Sequence, residues 1–279
     1  MHILRTPQEL SQTADVCRVN GQSVAMVPTM GALHQGHTSL IDLARQHADI
    51  VVATIFVNPL QFNNSVDFDK YPLQMDHDVQ LLEQQGVQFL YAPNVDAMYG
   101  ANFSTSVHVG GITDVLEGSS RPGHFAGVST VVAKLFSAAR PDVAIFGQKD
   151  FQQFAVIQRM VSDLDMPIQL IMAPTIREPD GLAMSSRNIR LSDLARHEAV
   201  SIWQGLRKAQ EQFSAGIRDS DQLIKTVESM IESTSADIDY VKVIDPVTLN
   251  GLSIATPGCV IVVAVVLDEV RLIDNHVLV

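Results

Sequence analysis

Short apolar runs alternate with amphipathic segments along roughly the first 176 residues of the chain. The run over 49–57 is almost continuously apolar and β-branched, which is typical of a parallel strand covered on both faces. Segment 125–140 instead repeats its apolar residues at helical spacing. Strands are predicted over 23–28, 49–57, 87–91, 142–146 and 168–173, and helices over 37–47, 75–85, 125–140 and 151–164. This alternation predicts an α/β fold with a Rossmann-like, doubly wound parallel sheet.

The pattern changes after about Ile176, where the regular alternation of strand and helix ends. Ser192 is suited to cap a helix that reaches about Ala215, because a serine hydroxyl accepts a hydrogen bond from an N-terminal N–H. A further helix is predicted over 219–233, and strands of a small antiparallel sheet over 239–244, 260–267, 270–273 and 277–279. We therefore predict one domain over residues 1–176 and a smaller C-terminal α+β domain over residues 177–279.

Composition and charge limit the classes of partner. The chain has 279 residues, of which 46% are hydrophobic and 18% charged, so it has ample material for buried cores. Its net charge of −12 argues against nucleic acid and anionic membranes as partners. A local basic pocket for an anionic substrate is compatible with that charge, and its candidate members are Arg121, Lys149, Arg177 and Arg187.

Cysteine content and apolar run length indicate the compartment. The two cysteines, Cys17 and Cys259, form no recognisable disulfide framework, so both are predicted to be reduced thiols. The first residues lack the layout of a signal peptide, and the longest apolar run, over 259–267, is far shorter than the roughly 20 residues that span a bilayer. We therefore expect a soluble cytoplasmic protein without a membrane partner.

The first group of residues that indicates chemistry is PTMGALHQGH, over 28–37, between a predicted strand and a predicted helix. Gly31 and Gly36 lack a Cβ, so a phosphate can approach the backbone there, and the following helix N-terminus offers free N–H groups. His34 and His37 can face one ligand and stabilise charge on a phosphoryl group. One alternative is a phosphate-binding loop, although His37 stands where its lysine belongs; another is an ordinary turn with surface histidines.

The second group is MSSRN, over 184–188, preceded by REPDGLA. Ser185 and Ser186 can donate hydrogen bonds to a triphosphate, and Arg187 can do so with two N–H groups at once. The alternative interpretation is a simple turn before the Ser192 cap.

Together the two groups resemble the paired signatures of the nucleotidyltransferase superfamily, which includes the class I aminoacyl-tRNA synthetases. Five longer motifs narrow this resemblance: PTMGALHQGH over 28–37, IFVNPLQF over 55–62, RPGHFAGVSTVVAKLF over 121–136, FGQKDFQQ over 146–153 and REPDGLAMSSRN over 177–188. In sequence, order and spacing, from near residue 23 to near residue 190, the chain resembles the pantothenate synthetases, which are pantoate–β-alanine ligases.

That resemblance implies an activity. It implies ATP-dependent condensation of (R)-pantoate with β-alanine to pantothenate, AMP and pyrophosphate through a pantoyl adenylate, in pantothenate and coenzyme A biosynthesis. It further implies a nucleotide-binding catalytic domain followed by a lid domain, Mg²⁺ accompanying ATP, no tightly bound organic cofactor, and a homodimer.

The resemblance also implies roles for individual residues. His37 is the implied proton donor, with His34 beside it. The implied catalytic set is His34, His37, Lys149, Ser185, Ser186 and Arg187. The implied ATP site comprises Met30, Gly31, Ala32, Leu33, His34, Gln35, Gly36, His37, Gly147, Gln148, Lys149, Asp150, Ile176, Met184, Ser185, Ser186 and Arg187. Gln61 and Gln153 are implied pantoate ligands, and Gln61 also the β-alanine contact, because a primary amide both donates and accepts hydrogen bonds.

Secondary candidates are Tyr71, Asp78, Arg121 and His124. Asp78 could help to hold Mg²⁺, although a carboxylate in a helical pattern more often lies on a solvated face, and the metal ligands stay unassigned. The chain departs from the family at Val66, where an acidic residue is frequent, at Leu73, where arginine is frequent, and at Gln148, where glutamate is usual. The loop over 63–76 is therefore the part of the resemblance with the least support.

Two other functions fit the same residues. One is a related nucleotidyltransferase such as a cytidylyltransferase, which would not need an amine acceptor site. The other is a non-catalytic nucleotide-binding regulator, which would bind ATP without releasing pyrophosphate.

Overall fold

The computed structural model describes residues 1–62, 68 and 71–279, and these divide into two compact units. The first unit comprises residues 1–147 and 152–173, and the second comprises residues 148–151 and 174–279. The predicted domain boundary between residues 176 and 177 stays a prediction. Val66 lies outside the described residues, together with 63–65, 67, 69 and 70 of the loop that follows Phe62.

The first unit is built on a six-stranded parallel sheet with the strand order β1-β4-β3-β2-β5-β6. Its strands are β1 His2–Leu4, β2 Val24–Thr29, β3 Ile50–Ile55, β4 Phe89–Tyr91, β5 Val143–Gly147 and β6 Gln169–Ala173. The predicted doubly wound α/β fold is thereby confirmed.

Seven described helices accompany these strands. They are α1 Pro7–Val19, α2 Gln35–His47, α3 Met75–Gln84, α4 Val95–Met98, α5 Glu117–Ser120, α6 His124–Ala139 and α7 Phe151–Asp163, and Pro59–Gln61 forms a 3₁₀ turn. The apolar pattern missed β1, α1 and the short helices α4 and α5, but the start of α1 has a local signal. The Thr6 hydroxyl accepts the Glu9 N–H, the Glu9 carboxylate accepts the Thr6 N–H, and Pro7 occupies the first turn.

Both faces of the central strands are buried, as their continuous apolar sequence predicts. Ala25, Val27, Val51 and Ala53 share one core cluster with the buried residues of α2. On the other face of β2, Val24 and Met26 are fully buried, and α1 contacts β2 and packs against α6. The strands are therefore rigid platforms whose ends can hold polar residues in fixed positions.

The strand order places the switch point of the sheet beside β2. This strand pairs with β3 on one side and β5 on the other, so the carboxyl ends of β2 and β5 are neighbours. Ligands of doubly wound sheets bind at such a point, where successive connections leave in opposite directions. The predicted Met30–His37 turn follows β2, and Gly147 ends β5.

The second unit has an α+β core of its own. It contains α8 Asp193–Glu198, α9 Val200–Ser214, α10 Ser220–Ile231 and an antiparallel sheet of β7 Asp237–Ile244, β8 Val260–Leu267 and β9 Val270–Val277, in that order. Short 3₁₀ turns cover Gln148–Asp150 and Asn188–Arg190. Leu206, Val227 and Ile261 are completely buried in the cluster that joins α9, α10 and β8.

Two details of the second unit differ from the predictions. The predicted helix from Ser192 to Ala215 is interrupted at Ala199, because the Ile202 N–H bonds to the Ala199 carbonyl, a tighter pattern than in an α-helix. The strand pieces predicted over 270–273 and 277–279 belong to one strand, β9, up to Val277. The pattern misled here because Asp274 and Asn275 are polar yet almost fully buried.

None of the helices within the described residues is both long enough and apolar enough to cross a membrane.

Candidate active site

The turn after β2 contains the first group of predicted ATP-binding residues. Gly31 and Ala32 adopt left-handed backbone conformations, with φ of +86° and +51°. A Cβ added at Gly31 would lie 3.0 Å from the Asp78 carboxylate and 3.1 Å from the Ile55 side chain. Both the conformation and the close approach therefore require glycine at this position.

The Asp78 carboxylate holds this turn from the first turn of α3. Its two oxygens accept the N–H groups of Ala32 and Leu33, each at 2.8 Å, and the residue is only 1% exposed. The sequence-based expectation of a solvated carboxylate is therefore wrong for Asp78. Its charge is used to fix the backbone that Gly31 and Ala32 bend.

His34 and His37 form a reciprocal cap at the start of α2. The His34 Nδ1 accepts the Gly36 N–H at 3.1 Å, and the His37 Nδ1 accepts the His34 N–H at 3.2 Å. Since an Nδ1 that accepts a hydrogen bond carries no proton, each neutral ring has its proton on Nε2, which is then a donor. The ring centroids are 4.1 Å apart. The structure thus brings both predicted histidines together at a helix N-terminus, where a negative charge is stabilised.

Gln61 lies in a buried amide network beside Met30. Its Nε2 donates to the Met30 sulfur at 2.9 Å, and its Oε1 accepts from the Asn58 side chain at 3.1 Å. Asn58 also donates to the Gly127 carbonyl and accepts from the Tyr99 hydroxyl at 2.7 Å. Burial raises the pKa of Tyr99, so the phenol stays protonated and keeps donating.

Arg121 and His124, two of the secondary candidates, meet the backbone of Gln61. The His124 Nδ1 donates to the Gln61 carbonyl at 2.7 Å, while its Nε2 is 3.3 Å from an Arg121 N–H group. A neutral His124 with its proton on Nδ1 satisfies both contacts. Tyr71, the remaining candidate, packs edge-on against Phe62.

The adjacent amides Gln152 and Gln153 have different surroundings. Gln152 is buried, accepts the Glu117 N–H and donates to the carbonyls of Ile112 and Val115, so its hydrogen-bonding groups are used within the protein. Gln153 is half-buried, and its side chain has no hydrogen-bond partner among the described residues. This difference favours Gln153 as a residue that binds a ligand.

The turn Gln148–Asp150 belongs to the second unit and carries further predicted ATP contacts. Its backbone is tied to β9, because Asn275 donates to the carbonyls of Gln148 and Lys149 at 2.9 and 3.0 Å. The Lys149 ammonium is 3.9 Å from the Asp150 carboxylate and keeps 18% of its side-chain surface exposed. Part of the lysine side chain is therefore accessible to solvent.

The loop over 176–188 holds the second group of predicted residues. The Met184 N–H bonds to the Ile176 carbonyl at 3.0 Å, and the Ser185 hydroxyl accepts the Arg187 N–H at 3.2 Å. Asn188 is buried and donates to the Ala183 carbonyl at 3.1 Å, which closes the loop. The four residues over 184–187 are half-buried.

Arg177 does not behave as a basic pocket residue. Its guanidinium pairs with both oxygens of Asp274 at 2.6 and 3.0 Å and stacks on Trp203, with the guanidinium carbon 3.6 Å from the ring centroid. Nearby, a hydrogen bond from Arg196 holds the pKa of Asp180 below its usual range. Both arginines anchor the start of the loop, and their charges are used within the protein.

Within the first unit, the contacts between predicted site residues include those of His34 with His37, Gln61 with Met30, and Gln61 with His124. Within the second unit, Ile176 contacts Met184, and Ser185 contacts Arg187. Sequence reasoning missed Asn58, Gln152, Asp274 and Asn275. Only Asn58 has a local signal, since an asparagine before Pro59 suits the N-cap of a 3₁₀ turn.

These features define a class of protein. A doubly wound sheet whose switch-point turn holds two histidines at a helix N-terminus, in a chain with a Ser-Ser-Arg loop, is typical of enzymes that transfer a nucleotidyl group from a nucleoside triphosphate.

Comparison with known proteins identifies the family within this class. The sequence model described as Pantoate-beta-alanine ligase matches residues 2–277. A pantothenate synthetase of Thermoanaerobacter sp. (strain X514) is 44% identical over 259 residues, which cover 92% of each chain.

Solved structures agree with this match. A pantothenate synthetase from Thermus thermophilus superposes with a TM-score of 0.94 at 40% identity, covering 100% of this chain and 99% of the other. A pantoate-beta-alanine ligase from Francisella tularensis, complexed with beta-gamma ATP and beta-alanine, has a TM-score of 0.82 at 33% identity and covers 99% and 97%. The chain therefore belongs to the pantoate–β-alanine ligase family, the pantothenate synthetases, which are ligases that form an amide bond.

Proposed function

We propose that this chain condenses (R)-pantoate with β-alanine, with cleavage of ATP to AMP and pyrophosphate. The main observation in support of this function is that His34 and His37 cap α2 at the switch point of the sheet. The chain that contains them matches the ligase family over residues 2–277. A carboxylate is a poor acyl donor, so the reaction needs two steps. ATP first activates pantoate as pantoyl adenylate, and the amine then displaces AMP.

In the first step, the pantoate carboxylate attacks the α-phosphorus of ATP, and pyrophosphate leaves. The Nε2–H groups of His34 and His37 and the N-terminus of α2 are suited to stabilise the charge that develops on the phosphate oxygens. Lys149, Ser185, Ser186 and Arg187 supply further donors for the triphosphate. The remaining ATP contacts in this proposal are Met30–Leu33, Gln35, Gly36, Gly147, Gln148, Asp150, Ile176 and Met184.

Gln61 and Gln153 bind pantoate in this proposal. The Gln153 amide has no partner within the described chain and can both donate to and accept from a hydroxy acid. The buried Asn58–Gln61 pair fixes the orientation of the second amide. Orientation matters because the reacting carboxylate has to point at the phosphorus.

In the second step, the β-alanine amine attacks the adenylate carbonyl, the C–N bond forms, and the bond to the AMP oxygen breaks. Gln61 contacts β-alanine, and the amine releases a proton to water as the amide forms. His37 is the proton donor of this proposal, with its Nε2–H directed to the oxygen of the departing phosphate. Since the adenylate is readily hydrolysed, we assign the C-terminal domain, residues 177–279, the role of a lid that excludes water, and the domain over residues 1–176 the role of the catalytic, nucleotide-binding domain.

Mg²⁺ fits this site as a companion of ATP. The described residues contain no group of three His, Cys, Asp or Glu side chains placed to hold a metal, and both Asp78 oxygens already accept N–H groups. In this proposal, phosphate oxygens and water would hold the ion, as is usual for Mg²⁺. When bound, Mg²⁺ supplies positive charge to the triphosphate.

We further propose that the enzyme acts as a cytoplasmic homodimer. The cytoplasmic assignment is supported by Cys17 and Cys259, which are both buried and unpaired, as suits a reducing compartment. The homodimer is carried over from the family. No described feature separately favours a cytidylyltransferase or a non-catalytic regulator.

Pyrophosphate release tests the proposal directly. We expect ATP to release pyrophosphate when pantoate is present, and AMP and pantothenate to accumulate when β-alanine is added. Absence of pantoate-dependent pyrophosphate from folded protein supplied with Mg²⁺ would overturn the proposed reaction.

A further inference from the structure

Two adjacent residues of β9, Asp274 and Asn275, are buried although each has a polar side chain. They are 4% and 2% exposed, on a strand whose neighbours Leu272 and Val270 belong to the hydrophobic core of the second unit. A buried carboxylate and a buried amide cost free energy unless partners satisfy them. Their partners therefore indicate what these residues do.

The Asn275 side chain forms three hydrogen bonds with the turn Gln148–Asp150. Its Nδ2 donates to the carbonyls of Gln148 and Lys149, and its Oδ1 accepts from the Gln148 Nε2 at 3.1 Å. Three hydrogen bonds thus join one side chain to the short turn Gln148–Asp150. Since the backbone of Lys149 is held on its carbonyl side, the direction in which its side chain leaves the turn is held as well.

Asp274 binds a different segment, the loop over 177–187, through Arg177. Its carboxylate binds both terminal nitrogens of Arg177, and the same guanidinium donates to the Gly181 carbonyl at 3.1 Å. Arg177 also forms an antiparallel bridge with Ala183, the residue directly before Met184. Asp274 therefore holds the base of the loop whose far side carries Ser185, Ser186 and Arg187.

The loop is closed further by Trp203. A Cβ added at Gly181, where φ is +101°, would lie 2.0 Å from the Trp203 ring, so only glycine fits between the loop and the indole that stacks on Arg177. The same ring packs edge-on against His276, with the centroids 5.7 Å apart. Residues 274 and 276 share one face of β9, and residue 275 points to the opposite face.

From this arrangement we propose that Asp274 and Asn275 are positioning residues that fasten both nucleotide-contacting segments of the second unit to a single strand. One strand reaches the 177–187 loop from one face and the 148–150 turn from the other, so Lys149 is held in fixed relation to Ser185, Ser186 and Arg187. Such preorganisation matters because a misplacement of about 1 Å can cost about 100-fold in rate. The inference rests on the proposed function, because it assigns these two segments to ATP.

Steady-state kinetics of full-length variants test the inference. Asn275→Ala removes all three hydrogen bonds to the turn, and Asp274→Asn removes the carboxylate charge opposite Arg177. We expect kcat/KM for ATP to fall by about 10- to 100-fold in each, with a raised KM for ATP and with KM for pantoate nearly unchanged. The matched control is Asp239→Asn, which removes the charge of an exposed ion pair with Arg271 of the same strand, and it should change neither constant.

A purely structural role predicts a different outcome. It would lower the melting temperature and the active fraction, and therefore kcat, while leaving KM for ATP at the wild-type value in the protein that folds; that result would overturn the inference. Hydrogen exchange supplies a second measurement, since the amides of residues 148–151 should exchange faster in Asn275→Ala but not in Asp239→Asn. Unchanged exchange there would count equally against it.

If Asn275→Ala does not fold, Asn275→Ser keeps one hydroxyl donor and should show the same pattern with a smaller change. The activity of the wild-type protein distinguishes failure of the proposed function from failure of the positioning role. Wild-type protein without pantoate-dependent pyrophosphate release would contradict the proposed function itself. An active wild type whose Asn275 and Asp274 variants keep the normal KM for ATP would contradict only the positioning role.

Discussion

The two units hold their proposed nucleotide-contacting segments in different ways. In the first unit, neighbouring residues shape the turn after β2, since His34 and His37 cap the same helix and Thr29 accepts the Gly31 N–H at 3.2 Å. One distant carboxylate, Asp78, anchors that turn. In the second unit, the segments over 148–150 and 177–187 are held by β9, through Asn275 and Asp274. The comparison teaches that similar chemical tasks can depend on local capping with one distant anchor in one unit, and mainly on buried long-range contacts in the other.

The largest effect is expected from a substitution that breaks the buried long-range ion pair of the second unit. Arg177→Met would leave Asp274 buried without a cation, and we expect a loss of about 3–5 kcal/mol in the free energy of unfolding. Chemical denaturation of the purified variant measures this change. Arg271→Met is the control, because its partner Asp239 is 36% exposed and such pairs contribute about 1 kcal/mol or less. Equal losses in the two variants would contradict the difference between buried and exposed anchors.

The next effect tests the local arrangement in the first unit. His37→Ala removes the Nε2–H donor, and we expect a loss of about 10²–10³ in turnover, the scale of one preorganised donor. The readout is pantoate-dependent pyrophosphate release at saturating ATP. His47→Ala, an exposed change at the other end of the same helix, should leave turnover unchanged. Normal turnover in His37→Ala would remove His37 from the proposed mechanism.

A smaller effect is expected where the local turn depends on one distant residue. Asp78→Asn replaces one acceptor oxygen by an NH₂ group, so a buried backbone N–H of Ala32 or Leu33 loses its partner, at a cost of about 1–3 kcal/mol. Denaturation measures that loss, and KM for ATP should rise with it. Asp76→Asn on the exposed side of α3 is the control.

The Asp78→Asn variant also shows whether Asp78 anchors the turn or binds Mg²⁺. If Asp78 only anchors the turn, the Mg²⁺ concentration needed for half-maximal rate stays unchanged in Asp78→Asn at saturating ATP. A raised Mg²⁺ requirement without loss of stability would assign the carboxylate to the metal instead.

The smallest expected effect is a change in the stability of the second unit with pH, caused by His276. Burial, followed by the positive charge of Arg177, lowers the pKa of His276 below its ordinary value of 6.5. The unfolded chain therefore binds the proton more readily than the folded one, so stability is full above pH 6.5 and is lost as the pH falls below it. Thermal melting between about pH 7.5 and about pH 5 should show this loss, and His276→Asn should reduce it. An unchanged pH dependence in that variant would show that other groups cause the loss.

Much of the first unit could be predicted from its residues alone. The alternation of apolar strands and amphipathic helices was sufficient for the doubly wound fold, and the Gly31 turn with its two histidines was recognisable before α2. The prediction failed where polarity and burial disagree, as at Asp78 and at Asp274–Asn275 of β9. A periodicity argument assigns polar residues to the surface, and only a partner within the fold makes their burial possible.

What the sequence by itself determined is therefore local: most of the strands and helices, the caps and the motifs that identify the family. Tertiary structure alone decided which distant groups meet. Asp78 binds the turn from 45 and 46 residues away, Asp274 binds Arg177 from 97 residues away, and Asn275 binds the 148–149 carbonyls from 127 and 126 residues away. The physical reason is that backbone propensities and capping act over a few residues, whereas these hydrogen bonds form only after packed strands and helices bring their partners within about 3 Å.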